Sequence, residues 1–186
     1  MQRSLILVPT DDIEKEIRSL MERKNIEYNT LEALKWRPHV SIKDLGFIEN
    51  ARLSEILPNI EDTANGTKSF GVSLDGIDFI GSKNTFSGIY VPVRITPELY
   101  ELHKKCVVTF TPSFDGKDRR YKELEMWSPH LTLVSFDLND IERAKKVERE
   151  YHFGFSAEQL TLVSHVNYQS DSFQYSEFPF KNKRGE

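Results

Sequence analysis

The chain has one cysteine, Cys106, in 186 residues. That excludes an internal disulfide and suits a reducing compartment. Long apolar runs are missing too. The stretch at residues 5–8 is too short for a signal peptide or a membrane span, so a cytoplasmic protein without membrane contact is expected. There is no basic excess: 25 Lys and Arg stand against 29 Asp and Glu, for a net charge of −4. A surface built for long duplex nucleic acid carries a basic face, so a small or short phosphate-bearing partner fits better. His and Asp/Glu at short metal-ligand spacing are absent as well. What remains, 38% hydrophobic and 29% charged residues, fits a soluble globular protein large enough to bury a core unaided.

What the chain does have is one phrase written twice. Trp36-Arg37-Pro38-His39-Val40-Ser41-Ile42 returns as Trp127-Ser128-Pro129-His130-Leu131-Thr132-Leu133. Both read Trp-x-Pro-His-apolar-(Ser/Thr)-apolar. Alternating apolar positions predict a strand, and side chains two apart on a strand share a face. Each phrase therefore offers one imidazole and one hydroxyl on one face, with an apolar pair behind.

The phrases sit in a longer repeat. Pro9 recurs as Pro92 and Phe70 as Phe153 at one interval, while His39 recurs as His130 at a longer one. Extra residues therefore precede the second phrase, and the polar stretch at 111–125 is the natural place for them. Helices are expected at 11–24, capped by Thr10 or Asp11, at 53–57 until Pro58 ends or kinks it, from Pro97 with Thr96 as N-cap, and at 139–150. A loop is expected at 63–67, and strands near 4–8, 38–44, 70–80, 86–95, 129–136, 159–166 and 173–180. The result is an α+β fold: a single bilobal domain over 1–186, its halves at about 4–80 and 86–180, with two mainly antiparallel sheets and outer helices around a central cleft.

Two His-x-(Ser/Thr) strands of this kind resemble the signature of the two-histidine (2H) phosphoesterase superfamily, which includes 2′,3′-cyclic nucleotide phosphodiesterases and 2′-5′ RNA ligase-like proteins. The resemblance covers about residues 4–180 and is specific at the two phrases. It implies a bilobal fold and metal-independent chemistry with no cofactor. Two imidazoles suit that chemistry, because histidine exchanges protons near neutral pH. His39 and His130 are the expected acid and base, with the individual roles open. Ser41 and Thr132 are the expected donors to phosphate oxygens. The expected activity is hydrolysis of a 2′,3′-cyclic or 2′-5′-linked nucleotide or short RNA by a monomer. Ligation in reverse, hydrolysis of a cyclic oligonucleotide or of ADP-ribose cyclic phosphate, and non-catalytic binding of an RNA end are the alternatives.

Further candidates for substrate contact are Arg37 and Lys43 beside the first histidine, Tyr90 and Tyr168 on strands, and the basic run Lys117, Arg119, Arg120 and Lys122 before the second. Solvated charge is the plainer reading for the basic side chains; the alternatives are a place on the cleft face for Arg37, two residues from His39, and a lid contacting a phosphate or the rest of an RNA for the run Lys117 to Lys122. Core packing is the plainer reading for the tyrosines. Trp36 and Trp127 fit symmetric packing, His103 a boundary position, and Cys106 the core.

Overall fold

A computed structural model describes residues 1–82, 85–111, 119–136, 144–146, 148–166 and 172–181, with backbone alone at 81–82, 85–87, 119–121 and 136. Nine strands and four α-helices are defined among them: β1 Gln2–Leu7, α1 Asp11–Glu27, β2 Val40–Phe47, α2 Asn50–Asn65, β3 Phe70–Gly76, β4 Asp78–Ser82, β5 Thr85–Pro92, α3 Pro97–Phe110, α4 Arg119–Met126, β6 His130–Phe136, β7 Tyr151–Ala157, β8 Gln159–His165 and β9 Phe173–Pro179. A 3-10 turn, Glu32–Lys35, precedes the first phrase.

Among the described residues the nine strands pair antiparallel throughout, so the architecture is α+β. One sheet runs β2-β1-β8-β9, another β4-β5-β6, and β3 pairs with β7 as a ribbon. A bridge from Leu74 to Val93 ties that ribbon to the end of β5. Strands from early and late in the chain thus mix in one sheet. The phrase-bearing strands β2 and β6 are both edges and lie near each other.

One apolar cluster reaches from Ile17 and Met21 on α1, through Val40, Ile42, Leu131 and Leu133, to Leu99, Leu102 and Cys106 on α3. Those four strand residues are at most 1% exposed. Burying such a side chain contributes about 1.5–3 kcal/mol. A one-residue slip would turn all four outward, so several kcal/mol hold the opposite face where it is. Gly88 helps to seat β6, since a Cβ there would stand 2.6 Å from the Val134 carbonyl oxygen. Gly76, at φ 94°, makes the break between β3 and β4, where a continuous strand is the expectation.

Three other expectations change. Pro58 does not end its helix: α2 runs on to Asn65, absorbing most of the expected loop. Buried Ile60, Thr63 and Ala64 fasten its second half, and the Lys105 ammonium donates to the Asp62 and Thr63 carbonyls near its end. The polar stretch at 111–125 is helical from Arg119 as α4. Its Arg, Lys, Glu, Leu and Met are good helix formers, and Glu123 takes bonds from Thr111 and Lys43. Thr10 is the N-cap of α1, but its side chain makes no capping bond, whereas the Thr96 hydroxyl accepts from the Leu99 N–H as expected. The helix expected at 139–150 lies largely outside the described residues.

Candidate active site

His39 stands one residue before β2 and His130 opens β6. The two rings are oriented alike. His39 Nδ1–H donates to the Arg37 carbonyl at 2.7 Å, and His130 Nδ1–H to the Ser128 carbonyl at 2.8 Å. A carbonyl only accepts, so both rings carry their neutral-state proton on Nδ1 and leave Nε2 for chemistry. His39, Ser41, His130 and Thr132 all keep solvent access, whereas Val40, Ile42, Leu131 and Leu133 are buried. Pro92 on β5 pairs with His130, and the Val93 N–H bonds the Pro129 carbonyl, so β6 is held right up to its histidine.

The charge of His130 acts on His39. Burial lowers the His39 pKa, the Arg37 carbonyl bond opposes that, and the positive charge of His130 lowers it further. His39 therefore keeps its neutral form to lower pH than an ordinary imidazole. Trp36 lies against His39, with ring centroids 5.4 Å apart. Tyr90 lies against His130 at 4.7 Å, and its hydroxyl donates to Asp78 at 2.8 Å. Burial and that carboxylate push the Tyr90 pKa up to about 12, so Tyr90 stays a neutral flank to the second histidine.

The other candidates fare differently. Arg37 is already held: Glu14 takes Nε and Nη2 at 3.0 and 2.7 Å, and Glu177 takes Nη1 at 3.1 Å. It lines a groove of about 600 Å³ with Trp36, Phe173 and Tyr175, but two carboxylates already neutralise it. Lys43 is paired with Glu123 at 2.8 Å. Lys122 is exposed on α4. Arg119 and Arg120 belong to the first turn of α4, and nothing further is defined for their side chains. Lys117 and Tyr168 lie outside the described residues. A larger hollow of about 1110 Å³, lined by Lys68, Glu98, Glu101 and Lys104 among others, contains no residue of either phrase.

Trp36 packs on Phe173 and, edge-on, on His165, and Trp127 stacks flat on His103. His103 is buried at 3% exposure, not at the boundary, because its Nδ1–H finds the Ile42 carbonyl at 2.7 Å. Cys106 is fully buried, and burial raises its thiol to about 12, so it is core. Burial also lowers the His103 pKa, against its bond to Ile42. His39 and His103 thus both fold neutral. The unfolded chain takes up these protons near pH ~6.5 while the folded one holds out lower. Stability is therefore full above that pH and falls as pH drops below it. The urea midpoint at pH about 5.5 should lie under that at pH about 7.5, and His103→Phe should flatten part of the difference. A pH dependence unchanged by His103→Phe would contradict the assignment.

Among the described residues, no helix is long and apolar enough to cross a membrane. No curated protein sequence matches the chain. Solved structures do, at low identity. TT0787 of Thermus thermophilus shares 13% identity at a TM-score of 0.64, over 99% of this chain and 100% of that one. Escherichia coli LigT complexed with phosphate shares 15% at 0.54, over 95% and 93%, and LigT complexed with 3′-AMP shares 14% at 0.51, over 95% and 94%. At such identity the likeness speaks to the fold alone. The sequence model of the 2′-5′ RNA ligase superfamily matches residues 9–169. With that match over most of its length, the chain belongs to the 2′-5′ RNA ligase superfamily, the two-histidine phosphoesterases.

Proposed function

We propose that the protein is a metal-independent phosphodiesterase acting on 2′,3′-cyclic or 2′-5′-linked phosphates of nucleotides or short RNA. The observation that carries this is the matched pair of histidines, each fixed by the carbonyl two residues before it, with the charge of one acting on the other. Escherichia coli LigT, which shares the fold, is known complexed with phosphate and with 3′-AMP.

In hydrolysis, water attacks phosphorus and gives a proton to one Nε2. The P–O bond to one ribose oxygen breaks, and that oxygen takes a proton from the other ring. The lowered pKa of His39 favours the neutral ring there, which makes His39 the base and His130 the acid in this direction. The product is a phosphate monoester, and the rings exchange protons with solvent before the next turnover. Ligation to a 2′-5′ bond follows the same path on a 2′,3′-cyclic end, with the 5′-hydroxyl of a second RNA in place of water: it gives its proton to one ring, the P–O3′ bond breaks, and the 3′ oxygen takes a proton from the other. Ser41 and Thr132 donate hydrogen bonds to the non-bridging oxygens as charge builds.

The exchange of strands between sheets supports one duplicated, bilobal domain over 1–186, its cleft lined by the two phrases. The reading includes a cytoplasmic monomer. Incubation with 2′,3′-cyclic nucleotides, 2′-5′ dinucleotides and cyclic oligonucleotides in the presence of a chelator, followed by chromatography, tests it. Turnover is expected with the first two. Binding without turnover across the panel would favour a nucleotide sensor instead. Ser41→Ala and Thr132→Val should each lower kcat by about 10²-fold, as for loss of one preorganised donor. Single variants within threefold of the parent would remove the hydroxyls from the mechanism.

A further inference from the structure

Two polar side chains lie inside the core with no part in the proton transfers. Asn25 on α1 is 0% exposed and His103 on α3 is 3% exposed. Asn25 Nδ2 donates to the Leu133 carbonyl at 3.0 Å and to the Met21 carbonyl at 2.7 Å. Both partners are acceptors, which orients the amide. His103 Nδ1–H donates to the Ile42 carbonyl, and its ring lies on Trp127, centroids 3.9 Å apart and planes 6° apart.

Ile42 and Leu133 occupy the same place in the two phrases, one residue past the hydroxyl. Both are also skipped by their ladders. On β1 and β2, Leu5 pairs with Lys43 and Ile6 with Ser41, so Ile42 bulges out. On β5 and β6, Ile89 pairs with Val134 and Tyr90 with Thr132, so Leu133 bulges out. A bulge leaves its residue out of the ladder and re-aims the side chains beside it. Here the re-aimed neighbours are Ser41 and Thr132. Each histidine strand takes a long helix from the run before the other: α1, which precedes β2, lies on β6, and α3, which precedes α4 and β6, lies on β2.

We propose that Asn25 and His103 are reciprocal positioning residues, each pinning the bulged residue of the histidine strand that follows the other's helix, and together setting the separation of His39 and His130. A carbonyl outside its ladder and buried needs a donor. A donor from the helix of the opposite strand satisfies it and at the same time fixes the two strands against each other. Catalysis between two rings depends on such spacing, since misplacement by about 1 Å can cost up to ~10²-fold.

The kinetic arm of the test rests on the phosphodiesterase reading, and the spectroscopic arm does not. His103→Phe keeps the stack on Trp127 but loses the donor, and His103→Asn restores an N–H near the same point. Asn25→Leu keeps volume and loses the amide. With a 2′,3′-cyclic nucleotide, His103→Phe and Asn25→Leu should lower kcat about tenfold with KM within about twofold, and His103→Asn should recover most of the loss. In NMR spectra without substrate, the ring Cε1–H signals of both His39 and His130 should move in each variant. Should either variant fail to fold, Asn25→Ala and His103→Leu, which also lack the donor, take its place under the same criteria. Folded variants whose two ring signals match the parent would overturn the proposal, whether or not the parent cleaves the nucleotide. So would kcat within twofold of an active parent, or a loss that His103→Asn does not relieve.

Discussion

His39→Ala and His130→Ala should each reduce kcat on a 2′,3′-cyclic nucleotide by about 10²–10⁴-fold, the usual contribution of a positioned acid or base. The double variant should be little worse than either single one, because two groups sharing one proton-transfer path do not add. The pH profile distinguishes their roles. The parent should show a bell, its limbs reporting the coupled pair. Residual activity of His39→Ala should lose the acidic limb, since no base remains there to be protonated, and that of His130→Ala should lose the alkaline limb. Reversed losses would exchange the roles and leave the pair intact. Turnover near the parent's level in both variants would reject two-histidine catalysis.

Glu148→Ala should be the most destabilising of the changes considered. The Glu148 side chain is 1% exposed. It takes the Lys24 ammonium at 2.8 Å, the Tyr28 hydroxyl at 3.0 Å and the Tyr151 hydroxyl at 2.7 Å. Lys24 shows the balance: burial alone would lower its pKa, and the bonds to Glu148 and Glu27 raise it well above the usual lysine value. Burial and the same carboxylate push Tyr151 up to about 12. Truncation would leave two hydroxyls without this acceptor and the Lys24 ammonium on Glu27 alone, at a cost of about 3 kcal/mol. In a chain of this size that lowers Tm by about 10 °C. Glu148→Gln still accepts from the tyrosines and should lose less. Urea and thermal unfolding check both, and a loss for Glu148→Ala under about 1 kcal/mol would mean that the cluster behaves as surface charge. The cluster closes the C-terminal end of α1 onto the start of β7, and α1 is the helix that seats β6.

The parts of this molecule legible in the sequence are those governed by short-range rules. Period-two apolar alternation marked the buried faces of β2 and β6. Thr96-Pro97 marked the start of α3, and the doubled phrase marked the pair of imidazoles. What depends on distant partners was not legible. Arg37 reads as a free cation until the fold brings Glu14 and Glu177 to it. Pro58 reads as a stop or a kink, because the packing that carries α2 past it comes from elsewhere. The polar run before the second phrase hides α4, whose Glu123 is fastened by Lys43 from another strand. Asn25 and His103 did leave a trace. Asn25 falls on the stripe of Ile17, Met21 and Tyr28, and His103 on that of Leu99 and Cys106, and a polar residue on an apolar stripe has an internal partner to find. Naming that partner needs the bulges at Ile42 and Leu133, which no local pattern announces.

The central claim is that His39 and His130 face one phosphate. Titrating the protein with a 2′-nucleoside monophosphate while following the ring Cε1–H signals of both histidines by NMR tests it most directly. Both signals should move along one binding curve with a single Kd, and either alanine variant should weaken the response of the ring that remains. Movement of one ring alone, or two curves with separate midpoints, would contradict the account.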